Sequence, residues 1–167
     1  MTPVQRILCM SDRVRESVWS YPRPPAVEGD DREVVITHGD IEIVRSTSTV
    51  RVLETSHPPT FYIPIADVTA GVLQPTSHQT FCEFKGVASY WDVHAGSVVV
   101  PRAAWGYQRP SAGYASLVDR VAFYPGRFDL VTVGGERVLA QEGDLYGGWI
   151  TSEIDGPFKG GPGTLGW

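Results

Sequence analysis

Between residues 33 and 141 the chain never runs far without a turn. Short stretches rich in β-branched and aromatic residues alternate with Gly-, Pro- and Asp-containing corners. No sustained strand–helix alternation accompanies them, which argues for a mainly β, antiparallel fold. Residues 33–38 and 41–44 flank His38-Gly39-Asp40 and read as a hairpin. Residues 49–54 alternate as a third strand. Thr55-Ser56-His57-Pro58-Pro59 makes a rigid corner before Phe61-Tyr62-Ile63-Pro64, and residues 65–68 start one helical turn. In the stretch Phe81 to Val93, Ser89, Trp91 and Val93 share one face of a strand, and Tyr90 and Asp92 the other. Residues 97–100, 121–124, 128–133 and 137–140 complete the strands, with residues 112–118 a short helix. Gly134-Gly135 makes a second hairpin turn.

The ends differ from this middle. Residues 2–18 carry Val4, Ile7, Leu8, Val14 and Val18 at roughly helical spacing, which predicts a short N-terminal amphipathic helix. Tyr21-Pro22-Arg23-Pro24-Pro25 must end it in an extended segment. Eight of the 18 glycines fall in residues 143–167, together with Trp149, Phe158 and Trp167. Such aromatic residues have surface to bury, so an irregular arm laid over the core or over a neighbouring subunit is expected. The chain divides into an N-terminal arm (1–32), a core domain (33–141) and a Gly-rich C-terminal arm (142–167).

The totals exclude several classes. A net charge of −5 and the absence of a basic run argue against nucleic acid. The apolar runs are shorter than a membrane span requires, and Ile7-Leu8-Cys9-Met10 is too short for a signal-peptide core. Two cysteines, Cys9 and Cys82, make no disulfide framework. A cytoplasmic protein is expected.

Of the 14 basic residues only Lys85 and Lys159 are lysine; the other 12 are arginine. Both lie in the tripeptide Phe-Lys-Gly. A solvated surface rarely discriminates between the two cations, whereas a site needing a compact, deprotonatable amine does; the alternative is a turn with a snorkelling stem. Trp-x-Tyr-x-Arg-Pro also occurs twice, at Trp19 and at Trp105. No single period joins the two echoes, which leaves remnants of a tandem ancestor or coincidence.

Lys85 and Cys82 stand three apart. They face opposite sides of a flat strand but converge in a knuckle-like turn, which Gly86 favours. There an ammonium would activate the thiol. Glu54, at a strand end before the Pro corner, is a general base or an ion-pair partner for Lys85. Lys85, Cys82 and Glu54 are therefore the candidate catalytic residues. Tyr62, Tyr90, Trp91, Trp105, Tyr107 and His57 are candidate substrate-binding residues that would wall a pocket. For each, core packing, a turn role or a structural ion pair is the alternative.

Four blocks resemble the domain of unknown function family 427. They are Leu53-Glu54-Thr55-x-x-Pro58-Pro59-x-x-Tyr62-Ile63-Pro64-x-x-Asp67-Val68, Cys82-x-Phe84-Lys85-Gly86-x-Ala88-Ser89-Tyr90-Trp91, Ala104-Trp105-x-Tyr107 and Val121-Ala122-Phe123-Tyr124. They occur in the expected order over roughly residues 33–141. The resemblance implies a β-tent (Mss4-like) fold, in which antiparallel sheets meet at an angle. Several relatives with that fold hold zinc on paired Cys-x-x-Cys knuckles. Here Lys85 stands where the second cysteine of one knuckle would be, and Gly156-Pro157-Phe158-Lys159-Gly160 has none. Two cysteines cannot build a four-thiolate site, so no metal and no cofactor are expected. The family's nucleotidyltransferase-like label has no residue basis here: no Gly-Ser motif with paired Asp and no Gly-rich phosphate loop.

Three functions follow as expectations. The leading one is a small-molecule site lined by aromatics, with Lys85, Cys82 and Glu54 supplying polar contacts or acid–base chemistry. The second is a non-catalytic binding or assembly module whose aromatic arms dock on a partner or a second copy, as in a homodimer. The third is a thiol-dependent redox enzyme, in which Cys9 would be the resolving cysteine.

Overall fold

In this computed structural model, which describes residues 13–143 and 146–167, turn chemistry sets the hairpins. Gly39 and Asp40 both take positive φ (+55° and +63°), as do Gly134 and Gly135 (+56° and +83°). That is the geometry that returns a strand on itself in two residues. In chain order the strands are β1 (Glu16–Ser17), β2 (Ala26–Asp30), β3 (Val34–His38), β4 (Ile41–Ser46), β5 (Thr49–Leu53), β6 (Thr60–Pro64), β7 (Leu73–Cys82), β8 (Gly86–Ala95), β9 (Val98–Gly106), β10 (Arg120–Phe123), β11 (Leu130–Val133), β12 (Glu136–Arg137), β13 (Leu139–Ala140), β14 (Trp149–Ile150) and β15 (Ile154–Asp155). Short 3-10 turns at Ile65–Asp67 and Ala112–Leu117 stand where helical turns are expected. The mainly β, antiparallel architecture agrees with the sequence.

A seven-stranded antiparallel sheet, ordered β2-β5-β6-β10-β9-β8-β7, lies against a four-stranded one, ordered β12-β11-β3-β4. Val34, Ile36, Val131 and Val133 of the smaller sheet share one apolar core with Phe61, Ile63, Trp91, Val121 and Phe123 of the larger. The other face of the large sheet carries a second cluster that includes Val52, Tyr62, Ala88, Trp105 and Ala122. Register explains the division. Tyr90 pairs with Trp105, and Trp105 with Ala122, while Trp91 pairs with Ala104 and Phe123 also with Ala104. Neighbours across a ladder share a face, and residues one apart do not.

Three expectations need correction. The predicted N-terminal helix lies mostly outside the described residues, and its described end, residues 13–17, is not helical and includes β1, with Val18 opening a 3-10 turn. β2 falls within the expected N-terminal arm yet is an edge strand of the large sheet, paired with β5 from Ala26↔Leu53 to Asp30↔Thr49. β7, ten residues long, falls in a stretch with no expected strand. It is the opposite edge, where polar residues and Pro75 are tolerated because one side of the strand has no ladder to satisfy.

The terminal segments zip together. β1 pairs in parallel with β15, Arg15 pairs with Asp155, and Trp19 donates to the Pro157 carbonyl at 2.9 Å. Trp149 is fully buried and stacks on Phe61 with ring centroids 4.7 Å apart. Beneath this seam lies an ionic network. The Arg51 side chain, wholly buried, donates to Glu16 at 2.9 and 3.0 Å and to Glu28 at 2.9 Å. Arg32 joins Asp30 and Glu153, each at 2.7 Å.

The network makes stability fall in acid. Hydrogen bonds from Arg51 hold the Glu16 carboxyl below its ordinary value against the effect of burial. Burial alone would raise Asp30 and Glu153, but hydrogen bonds from Arg32, and from Thr151 to Glu153, outweigh it and leave both lowered. Each carboxyl therefore takes its proton more readily in the unfolded chain. Its contribution is complete above the unfolded value, roughly pH 4 to 4.5, and is lost as pH falls through the lower folded one. The urea midpoint is expected to be level from about pH 7 to pH 5.5 and to drop steeply below about pH 4.5. A midpoint unchanged at about pH 3.5 would refute the coupling.

Candidate functional site

The second face of the large sheet floors a cavity of about 400 Å³. Its walls are built by register. Val52 pairs with Thr60 and Val50 with Tyr62, which turns Val52, Thr60 and Tyr62 to one side; Trp105 and Tyr90 continue that face. Thr80, on β7, bonds its hydroxyl to that of Tyr90 at 2.9 Å.

Of the nine residues singled out in the sequence, eight line this cavity: Glu54, His57, Tyr62, Cys82, Lys85, Tyr90, Trp105 and Tyr107. Trp91 does not. It points into the core between the sheets, because it follows Tyr90 on a strand and so must face the other way. Lys159, from the second Phe-Lys-Gly, lines the same cavity as Lys85. Both lysines of the chain thus line one cavity.

Cys82 and Lys85 converge because Cys82 pairs with Gly86, leaving residues 83–85 as a three-residue loop. Gly86 takes φ +107°, a conformation that a side chain would strain. Ser111 N–H donates to the Lys85 carbonyl at 2.9 Å and fixes the loop. The Lys85 side chain is nearly buried, with its amine 5.6 Å from the centroid of the Tyr107 ring. Among the described residues it has no hydrogen-bond or ion-pair partner.

Glu54 meets His57 rather than Lys85. The His57 amide donates to the Glu54 carbonyl at 3.0 Å, closing a turn with Ser56 at φ +72°. This turn brings His57 Nε2 to 3.2 Å from Glu54 Oε2. Both arms pin it: Ser56 N–H donates to the Val18 carbonyl at 3.1 Å, and Lys159 N–H to the Ser56 carbonyl at 2.9 Å. Burial raises the Glu54 carboxyl, but the hydrogen bond from His57 and nearby positive charge, that of Lys85 and Arg23 included, outweigh it and leave it lowered. Glu54 is thus a carboxylate near neutral pH.

Gln141 orients His57. Its Oε1 accepts from Gly148 N–H at 3.1 Å, so its Nε2 faces the Lys159 carbonyl at 2.7 Å and His57 Nδ1 at 3.2 Å. An amide nitrogen donates, so Nδ1 accepts and the proton sits on Nε2, toward Glu54. No motif around Gln141 points to this role. The signal for Lys159 was the Phe-Lys-Gly echo.

The hydroxyls of Tyr62 and Tyr107 are pushed up by burial, and that of Tyr124 to about 12, again chiefly by burial. All three stay protonated and available as donors. Trp105 packs 4.4 Å from Tyr124, centroid to centroid, and 6.4 Å from Tyr62. The C-terminal segment closes the remaining side. A Cβ on Gly147 would lie 2.0 Å from the Trp105 ring, so only glycine allows the backbone to seat there. Among the described residues no group of three or more His, Cys, Asp or Glu gathers as a metal site would require, and no helix is long and apolar enough to cross a membrane.

Residues 26–134 match the family described as domain of unknown function (DUF427). That is well over half of the chain, and the protein belongs to this family. Its match begins at β2, in agreement with the sheet. Comparison with curated proteins gives no match.

Proposed function

We propose that the protein binds a small molecule in the cavity beneath the C-terminal segment, with Lys85, Cys82 and Glu54 as its polar groups and Tyr62, Tyr90, Trp105 and Tyr107 as its walls. The observation that supports this reading is that both lysines line one aromatic-walled space, with the Lys85 amine facing the Tyr107 ring and, among the described residues, without a hydrogen-bond or ion-pair partner. The His57–Glu54 pair gives the site a fixed carboxylate that can accept a hydrogen bond or a proton from a ligand. Cys82 adds a thiol at the rim. The lowered Glu54 carboxyl suits acceptance of a hydrogen bond better than donation of a proton.

Small molecules retained by the purified protein provide the test. Mass spectrometry is expected to detect compounds released from the wild-type chain that a Cys82→Trp variant, with its cavity filled, does not retain. Matched melting curves would show that both proteins are folded. Equal profiles from the two would sink the proposal. The assembly reading has less support, because the aromatic residues that motivate it are used internally: Trp149 is buried in the core, and Trp19 packs on Trp167 with centroids 5.4 Å apart.

A further inference from the structure

The chain uses arginine for 12 of its 14 basic residues, yet the cavity is lined by its two lysines. Arginine would supply the same charge. What lysine adds is an amine that can shed a proton and form a bond to carbon. The two amines are held differently. Lys159 Nζ donates to an oxygen of Trp167 at 3.1 Å, a bond it must break before it can attack anything. Among the described residues Lys85 Nζ has no such bond. The Tyr107 ring lies beside it, and its charge acts on the Glu54 carboxylate.

That carboxylate suits one reaction in particular, condensation of the amine with a carbonyl group. The Lys85 ammonium passes one proton to Glu54, and the amine nitrogen attacks the carbonyl carbon. The carbonyl oxygen takes the second proton from nitrogen and becomes a hydroxyl. Glu54 returns the first proton to that hydroxyl, which leaves as water as the nitrogen pair closes the C=N bond. One carbonyl compound enters, one water leaves, and no oxidant or reductant is needed. The nitrogen carries one positive charge at the start and at the end. Glu54 therefore keeps the countercharge it has in the empty cavity, and the exchange of ammonium for protonated imine leaves no buried charge unbalanced. Tyr62 and Tyr107, whose hydroxyls burial keeps protonated, supply donors for the carbonyl oxygen on the same cavity wall.

Resting on the small-molecule reading above, we infer that the ligand is an aldehyde or ketone and that Lys85 holds its carbonyl carbon covalently as a protonated imine.

Reductive trapping tests this. The full chain is treated near pH 7 with propanal and cyanoborohydride, together with the free peptide acetyl-Phe-Lys-Gly-amide, which has the tripeptide sequence of both lysines. Digestion and mass spectrometry then follow alkylation at Lys85, at Lys159 and on the peptide in one tube. Lys85 is expected to be alkylated at least about tenfold faster than the peptide lysine, through binding of the aldehyde beside a positioned amine. Lys159 should be no faster than the peptide. A Lys85 rate at or below that of the peptide would overturn the inference, and so would an advantage shared equally by Lys159. The retention experiment with Cys82→Trp needs no covalent bond, so a failed trap beside a positive retention result would leave the cavity a non-covalent binding site.

Discussion

Replacing Arg51 with methionine is expected to lower stability by about 3 to 5 kcal/mol, the range for breaking a buried ion pair from one side. The guanidinium is wholly buried and serves Glu16, Glu28 and, at 3.5 Å, Asp30. Without it Glu16 keeps the Tyr21 hydroxyl at 2.7 Å and the more distant charge of Arg13, and burial then works against its charge. The loss should be directional. Glu16 lies on β1, so the N-terminal segment should detach from β15 before the sheets open. Amide exchange is expected to quicken first at Glu16, Ser17 and the residues paired with them, with the urea midpoint falling throughout. Arg51→Lys should recover little, because one ammonium cannot reach two carboxylates through a planar fork. The acid sensitivity should also become shallower in the methionine variant, since Glu16 loses the partner that lowers it. A variant as stable as the wild type, with the same acid profile, would show that the network is not what holds the arm.

This network also marks where the sequence stops being legible. Arg32 and Glu153 stand 121 residues apart, and nothing in either neighbourhood announces the other. Ion pairing across a fold depends on where sheets bring side chains, not on local pattern. The hairpins at Gly39-Asp40 and Gly134-Gly135 were legible for the opposite reason: their chemistry is confined to two residues. Edge strands fell between these cases. Gln74-Pro75-Thr76-Ser77-His78 lacks the alternation of a half-buried strand because, at the sheet edge, it has little to bury.

The candidate site was legible in its residue types and less so in its geometry. The scarcity of lysine pointed to Lys85 and, through the repeated tripeptide, to Lys159. The alternation along β8 already opposed Tyr90 to Trp91, so counting both as pocket walls conflicted with the strand reading itself. The partner of Glu54 was misjudged because a residue three positions away, within its own turn, competes better than a lysine on another loop. Gln141 needed the folded C-terminal segment to be visible at all.

That segment makes the last prediction. Trp149→Ala is expected to cost about 3 to 5 kcal/mol, as for a fully buried aromatic truncated in a core. The indole stacks on Phe61 and donates through Nε1 to the Phe123 carbonyl at 3.1 Å; truncation removes the stack and leaves that carbonyl without its donor. The Trp149 backbone bond to the Pro59 carbonyl, at 2.8 Å, and the two-residue pairing of β14 with β13 are too little to hold the strand in place without the indole. Gly147, against Trp105, and Gly148, against Pro58, should lift with it, and Gln141 would lose the Gly148 donor that orients it. The consequence reaches the cavity. His57 would lose its fixed tautomer, Lys159 its place on the wall, and ligand retention should fall together with stability. Limited proteolysis is expected to cut the variant within residues 142–167 while residues 26–134 stay intact. Cleavage spread evenly along the chain would instead show that Trp149 supports the whole core, and that the cavity wall and the sheets unfold as one unit.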